Sequence, residues 1–124
     1  GKHRRDFTFV DDIAESVIRV LDRPAVPDPD WRSDDPRPST SSAPYRVYNI
    51  GNSQPVELLY LIHLLEQELG VKARMNLLPM QPGDVEDTIA DVSDLEAAIG
   101  FAPATPIETG VARYVAWFRD FYRR

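Results

Sequence analysis

The sequence contains no cysteine and only two histidines. Without cysteine there are no disulfides and no thiol chemistry, so a reducing compartment such as the cytoplasm is expected. His3 and His63 are too few and too far apart to predict a metal site. The longest apolar stretch, Val56 to Leu65, is broken by Glu57 and is too short to span a bilayer, so no membrane segment is expected.

Positive charge is also scarce. Fourteen Lys and Arg face twenty Asp and Glu, giving a formal charge of −6. No basic run is long enough to follow a phosphate backbone, so neither nucleic acid nor an anionic membrane is an expected partner. Apolar residues make up 43 % and charged residues 27 % of the 124 positions. These values are typical of one packed domain with a modest core.

The first part of the chain predicts a strand followed by a helix. Apolar and polar residues alternate from Asp6 to Val10, which is the period of a strand with one buried face. Asp12 and Glu15 then fit the reciprocal capping pattern of a helix start. Apolar residues at helical spacing follow, and the helix is expected to end before Pro24.

Residues 24–44 predict a long irregular excursion. They contain six of the eleven prolines and almost no apolar periodicity. A long segment of this kind is a functional loop, an interface segment or a disordered insertion around an incidental Trp31. The sequence leaves these alternatives open.

The rest of the chain predicts two more strands and three more helices. The strands cover Tyr45–Ile50 and residues 73–77, and the helix between them ends at Gly70. Ser93 and Thr105 are the expected caps of the last two helices. The predicted class is α/β, with about three short strands and four helices. Because so few strands cannot complete a parallel sheet, the fold is expected to be incomplete.

Four strings of residues together resemble one family. They are RDFTFVDDI at 5–13, YRVYNIG at 45–51, MQPGDV at 80–85 and ADVSDLEAAIG at 90–100. In this order and spacing they resemble the carboxy-terminal part of extended short-chain dehydrogenase/reductase proteins, specifically the UDP-glucuronate 4-epimerase branch. The resemblance spans nearly the whole chain. It implies that residues 1–124 are the nucleotide-sugar-binding part of a Rossmann-type epimerase.

The resemblance also implies a substrate site made of Arg5, Gln81 and Asp84. In similar epimerases the arginine of the RDF string approaches the diphosphate, and the aspartate of the MQPGDV loop accepts from a ribose hydroxyl. Gln81 stands where relatives carry an arginine, so one positive charge is missing. Two structural alternatives remain: a surface arginine paired with Asp6 or another nearby acid, and a Pro-Gly-Asp turn without a ligand.

Family members bind NAD through a glycine-rich turn and catalyse with a tyrosine followed four residues later by lysine. The only lysines here are Lys2 and Lys72, and position 68 is a glutamate. No catalytic residue is therefore assigned, and NAD is implied for the full-length parent. We expect the isolated chain to be inactive without the NAD-binding half.

Three alternatives to this interpretation stay open. The parent could be a related nucleotide-sugar dehydratase or decarboxylase, or the chain could be a stand-alone interaction module. Such a module would use the excursion or the aromatic residues of the last helix, which are Trp117, Phe118, Phe121 and Tyr122. The resemblance implies a UDP-sugar as the partner of the full-length parent and allows a homodimer.

Overall fold

A computed structural model describes residues 2–123, and their regular structure consists of four helices and two very short strands. The two strands pair antiparallel, with Arg4 opposite Glu57 and Arg5 opposite Val56. The prediction of an incomplete α/β fold with four helices is confirmed. In chain order the elements are β1 (Arg4–Arg5), α1 (Val10–Leu21), β2 (Val56–Glu57), α2 (Leu58–Leu69), α3 (Ser93–Ile99) and α4 (Ile107–Tyr122).

The ends of two helices follow the prediction. Gly70 ends α2 with φ 71°, and Gly100 ends α3 with φ 64°. Both values lie in the left-handed region, which a glycine adopts without the steric cost of a Cβ atom. The N–H of each glycine donates to the carbonyl four residues earlier, at Glu66 and Glu96.

The three predicted strands are wrong in position. Val10 begins α1, so the stretch from Asp6 to Val10 leads into a helix and has no strand partner among the described residues. Tyr45–Ile50 contributes only an isolated bridge between Thr40 and Arg46, and residues 73–77 lie outside the assigned strands. Alternation of apolar and polar residues shows only which side chains could face a core. A strand also needs a neighbouring backbone with which to exchange hydrogen bonds.

The predicted capping side chains are also wrong. The residues that precede α1, α3 and α4 are Phe9, Val92 and Pro106, and none makes a side-chain capping bond. Asp12 lies inside α1, and its Oδ2 accepts from the backbone N–H groups of Ala104 (3.2 Å) and Thr105 (2.9 Å). A carboxylate next to a helix start can satisfy any nearby donor, and here the donors belong to the segment that leads into α4.

The core consists of two small groups of side chains. Leu64 of α2 packs with Val111 and Val115 of α4. The second group lies where α1 packs against α3, and there Leu95 is fully buried. Between α1 and β2, residues 22–55 follow an irregular path in which the N–H of Asp28 donates to the carbonyl of Ser41 at 2.8 Å.

Large apolar side chains remain exposed on two helices. On α1, Val10 and Leu21 are 65 % and 75 % exposed, and on α4 Trp117 and Phe121 are 51 % and 64 % exposed. The aromatic rings of α4 stack along the helix, with 5.3 Å between the centroids of Trp117 and Phe121. Among residues 2–123, none of the helices has the length and apolarity needed to cross a membrane.

Candidate functional site

Arg5 lies in β1 and reaches over the loop that follows Gln81. Its Nη2 donates to Oδ1 of Asp84 at 3.0 Å and to the carbonyl of Val85 at 2.8 Å. Its Nη1 donates to the carbonyls of Arg4 and Glu86 at 2.9 and 3.0 Å. Four donated bonds fix the plane of the guanidinium, because a guanidinium has five N–H groups in a rigid fork.

Asp84 is presented by a tight turn. The N–H of Asp84 donates to the carbonyl of Gln81 at 3.1 Å, and Gly83 has φ 87°. Pro82 in the second position and a left-handed Gly83 in the third are the signature of a type II turn. The turn therefore brings Gln81 next to Asp84, and the side chain of Gln81 is exposed.

Only one of the two carboxylate oxygens of Asp84 accepts hydrogen bonds within the described residues. Its Oδ1 accepts from Arg5 and from the N–H of Val85, each at 3.0 Å. Within residues 2–123, Oδ2 has no hydrogen-bond donor. The side chain is 44 % exposed, so Oδ2 can accept from a hydroxyl donor that arrives from solvent.

A second ion pair, which the sequence analysis did not identify, fastens the same loop to β1. Arg4 donates through Nε and Nη2 to the two carboxylate oxygens of Asp87. The backbones also pair, because Arg4 N–H donates to Glu86 and Thr88 N–H donates to Arg4. The hydrogen bond from Arg4 holds the pKa of Asp87 below its ordinary value. The two adjacent arginines were the only signal in the sequence.

The ion pair of Arg5 is with an acid of the loop, which fits the surface-pair alternative as well as the predicted site. Arg5 pairs with Asp84 and not with Asp6, whose carboxylate accepts from backbone N–H groups instead. Two of the three predicted site residues, Arg5 and Asp84, are therefore in direct contact, and Gln81 joins them through the turn. Ligand binding by these residues stays a prediction.

An apolar cleft lies elsewhere. It is lined by Phe7, Leu61, Leu65, Ile107 and Tyr114, with no contribution from Arg5, Gln81 or Asp84. The three predicted residues instead form an open polar surface at the side of β1. Such a surface can bind charged and hydroxylated groups but cannot by itself enclose a sugar ring.

The described residues contain no glycine-rich dinucleotide loop. A dinucleotide site needs several glycines in one turn that leads from a strand into a helix. Here Gly51 precedes β2, Gly70 and Gly100 end helices, Gly83 lies in the turn and Gly110 lies within α4. The glycines of residues 2–123 are thus distributed over separate places in the fold.

Comparison with solved structures identifies the class of fold. UDP-glucose 4-epimerase from Thermotoga maritima superposes with a TM-score of 0.74 at 22 % identity, over 98 % of this chain and 33 % of that chain. UDP-glucuronic acid 4-epimerase from Bacillus cereus, solved with UDP-glucuronic acid and NAD, has a TM-score of 0.72 at 23 % identity, over 98 % and 34 %. The fold is therefore that of one part of a Rossmann-type nucleotide-sugar epimerase.

Sequence comparison finds relatives of higher identity. Protein CapI from Staphylococcus aureus is 46 % identical over 124 residues, and a probable UDP-glucuronate 4-epimerase from Rhizobium meliloti is 42 % identical over 128 residues. UDP-glucuronate 4-epimerase 1 from Arabidopsis thaliana is 35 % identical over 127 residues. Over nearly its whole length the chain is therefore similar to UDP-glucuronate 4-epimerases, and it corresponds to a carboxy-terminal fragment of such a protein.

The match covers a limited share of each relative. All three alignments include 98 % or more of this chain, but only 37 % of the Staphylococcus and Rhizobium proteins and 28 % of the Arabidopsis protein. The chain thus spans about a third of the length of the curated relatives it matches. No protein-family model matches it.

Proposed function

We propose that this chain is the substrate-binding part of an NAD-dependent nucleotide-sugar 4-epimerase that acts on UDP-glucuronate or UDP-galacturonate. In this proposal Asp84 accepts from a ribose hydroxyl and Arg5 lies beside the diphosphate, with Gln81 as a neutral neighbour. The carrying observation is the contact between Arg5 and Asp84, 3.0 Å apart, on a chain 42 % identical to a probable UDP-glucuronate 4-epimerase.

The guanidinium groups at β1 support this assignment. Arg4 and Arg5 are adjacent, and each also forms an ion pair with an aspartate of the loop. Guanidinium groups suit phosphate oxygens because their planar fork matches the oxyanion geometry. Both terminal nitrogens of Arg5 already donate within the protein. A diphosphate would therefore accept from Nε of Arg5, or would replace a backbone carbonyl as the acceptor of one of the other N–H groups.

The isolated chain has no epimerase turnover under this proposal. Epimerisation at C4 removes a hydride from the sugar and returns it to the other face of the ketone, which requires NAD and a base. NAD belongs to the full-length protein, and most of its site lies outside residues 2–123. We further propose a cytoplasmic protein that does not bind nucleic acid, and we leave a homodimer to be tested.

The test uses the protein encoded by the complete reading frame. Conversion of UDP-glucuronate to UDP-galacturonate is followed by chromatography with NAD supplied. Asp84→Asn should raise KM by about tenfold or more, because a hydrogen bond to a charged group contributes about 1.5 to 3 kcal/mol. Conversion by the 124-residue chain alone would contradict its proposed inactivity.

Asp94→Asn is the matched control. Asp94 also forms a surface ion pair, with Arg46 at 2.9 Å, but it lies on α3 and away from the loop that carries Asp84. Its substitution should leave KM unchanged. Equal effects of the two substitutions, or no conversion of either sugar nucleotide by the complete protein, would exclude the proposed function.

A further inference from the structure

Asp6 joins three separate stretches of backbone through one carboxylate. Its Oδ1 accepts from the N–H of Asn52 at 3.0 Å, and its Oδ2 accepts from Ser53 at 3.0 Å and Ala90 at 2.9 Å. Its own N–H donates to Oγ1 of Thr88 at 3.3 Å. A carboxylate that accepts several backbone N–H bonds satisfies donors that would otherwise lack partners.

These bonds lie at both ends of the candidate site. Asp6 follows Arg5 directly, so its orientation sets the end of β1 from which Arg5 projects. Thr88 and Ala90 lie on the loop that carries Asp84, a few residues beyond it. Asp6 therefore connects the backbone of Arg5 to the backbone of the Asp84 loop, and leaves the Arg5 side chain free to meet Asp84.

The packing at this junction is tight. A Cβ atom on Gly51 would lie 2.3 Å from the Cβ of Ala90 and 2.8 Å from Oδ2 of Asp6. Distances that short require a shift of backbone, because neither Ala90 nor the fixed carboxylate can rotate away. Position 51 therefore needs a glycine, because a larger residue would collide with Ala90 and Asp6. The three backbone stretches joined by Asp6 are packed too closely at this point to move apart freely.

We propose that Asp6 is a positioning residue of the nucleotide-binding surface. It acts through Arg5 and Asp84 by fixing the distance between β1 and the loop, while its own oxygens are occupied by backbone donors. That the site binds a nucleotide rests on the proposed function. The contact between Arg5 and Val85 tests the positioning role independently of that function.

The experiment compares Asp6→Asn with Asp12→Asn by NMR on the 15N-labelled chain. Asp12 is a matched control because its carboxylate also accepts two backbone N–H bonds, but it joins α1 to the segment before α4. The readouts are the nuclear Overhauser contacts between the Arg5 side chain and Val85, and the shifts of the Asp84 and Val85 amides during a titration with UDP. An asparagine presents an N–H₂ to at least one of the three donors, so the junction should open.

We expect Asp6→Asn to lose the contact between Arg5 and Val85 and to raise the apparent Kd for UDP by about fivefold or more. Asp12→Asn should keep both. Asp6→Asn with the contact and the affinity intact would overturn the positioning role. Suppose that UDP causes no amide shifts in the wild-type chain but Asp6→Asn still breaks the contact between Arg5 and Val85. Asp6 would then position Arg5, and the proposal that this chain binds the nucleotide would be wrong.

Gly51→Ala covers the case in which Asp6→Asn does not fold. It disturbs the same junction through Ala90 and leaves the carboxylate in place. A folded Gly51→Ala variant should also lose the contact between Arg5 and Val85. If that variant retains the contact, the junction does not control Arg5 and the inference is wrong.

Discussion

Arg5 and Asp84 are 79 positions apart in the sequence, and the guanidinium of one donates to the carboxylate of the other at 3.0 Å. The same guanidinium holds the carbonyls of Val85 and Glu86. One side chain therefore binds both the acidic group of the loop and the backbone beside it. This explains why the loop follows β1, although the structure describes only two-residue strands there.

Replacing Arg5 by lysine should release the loop. A lysine has three donors on one nitrogen and cannot reach Asp84, Val85 and Glu86 together. We expect a loss of about 1 to 2 kcal/mol in the free energy of unfolding and faster hydrogen exchange at the Val85 amide. Arg19→Lys, on the surface of α1 and paired with Glu15, should cost under about 0.5 kcal/mol. Equal losses for the two variants would contradict this account.

Gly83 provides a second test of the loop. Because its φ is 87°, Gly83→Ala should cost about 1 to 2 kcal/mol, whereas Gly83→Asn should cost less, since asparagine tolerates the left-handed region. Urea denaturation measures both. No atom lies within 4 Å of a Cβ added at Gly83, so any loss reports backbone strain. An alanine variant as stable as the wild type would exclude the type II turn.

Substitutions of Gln81 test whether the arginine that relatives carry at this position would strengthen nucleotide binding. Gln81→Arg adds a cation next to Asp84, and it should tighten UDP binding by about two- to fivefold at low salt, with the gain removed as salt is added. Gln81→Ala should change the affinity little. Calorimetry on the complete protein compares the two. A weaker affinity for the arginine variant would show that this position does not face phosphate.

Leu95 tests the packing of α1 on α3. Its side chain is fully buried, so Leu95→Ala should lower the free energy of unfolding by about 2 to 5 kcal/mol through lost burial and a cavity. Leu59→Ala, at a position 38 % exposed, should cost under about 1 kcal/mol. Chemical denaturation compares them, and a small effect at Leu95 would mean that α3 does not form part of the core.

The link between α2 and α4 predicts a pH dependence. The hydroxyl of Tyr60 donates to Oε1 of Glu108 at 2.7 Å, which lowers the pKa of Glu108 and raises the pKa of Tyr60. The contribution of Glu108 to stability is present above its ordinary pKa of about 4.3 and is lost as the pH falls through the lower folded value. That of Tyr60 is present below about 10 and is lost as the pH rises through the raised value.

Tyr60→Phe should therefore flatten the dependence of Tm on pH at both the acid and the alkaline end. Thermal unfolding at several pH values is the measurement. Tyr45→Phe, which changes an exposed tyrosine between α1 and β2, should leave the curve as it is. Identical curves for wild type and Tyr60→Phe would show that this hydrogen bond does not contribute to folding.

The sequence by itself determined the four helices, the ends of α2 and α3 at Gly70 and Gly100, and the resemblance to nucleotide-sugar epimerases. These features are local, because a helix bonds each residue to one four positions away and a glycine cap depends on its own φ.

Only the tertiary structure decided where the strands lie and which donors each carboxylate meets. The partners of Asp6, Asp12 and Asp84 are between 46 and 93 positions away, apart from the neighbouring Val85. No local pattern encodes such pairs, since an aspartate beside a helix start can cap that helix or bind a distant backbone N–H equally well. The choice is made by which segments the packed helices bring together.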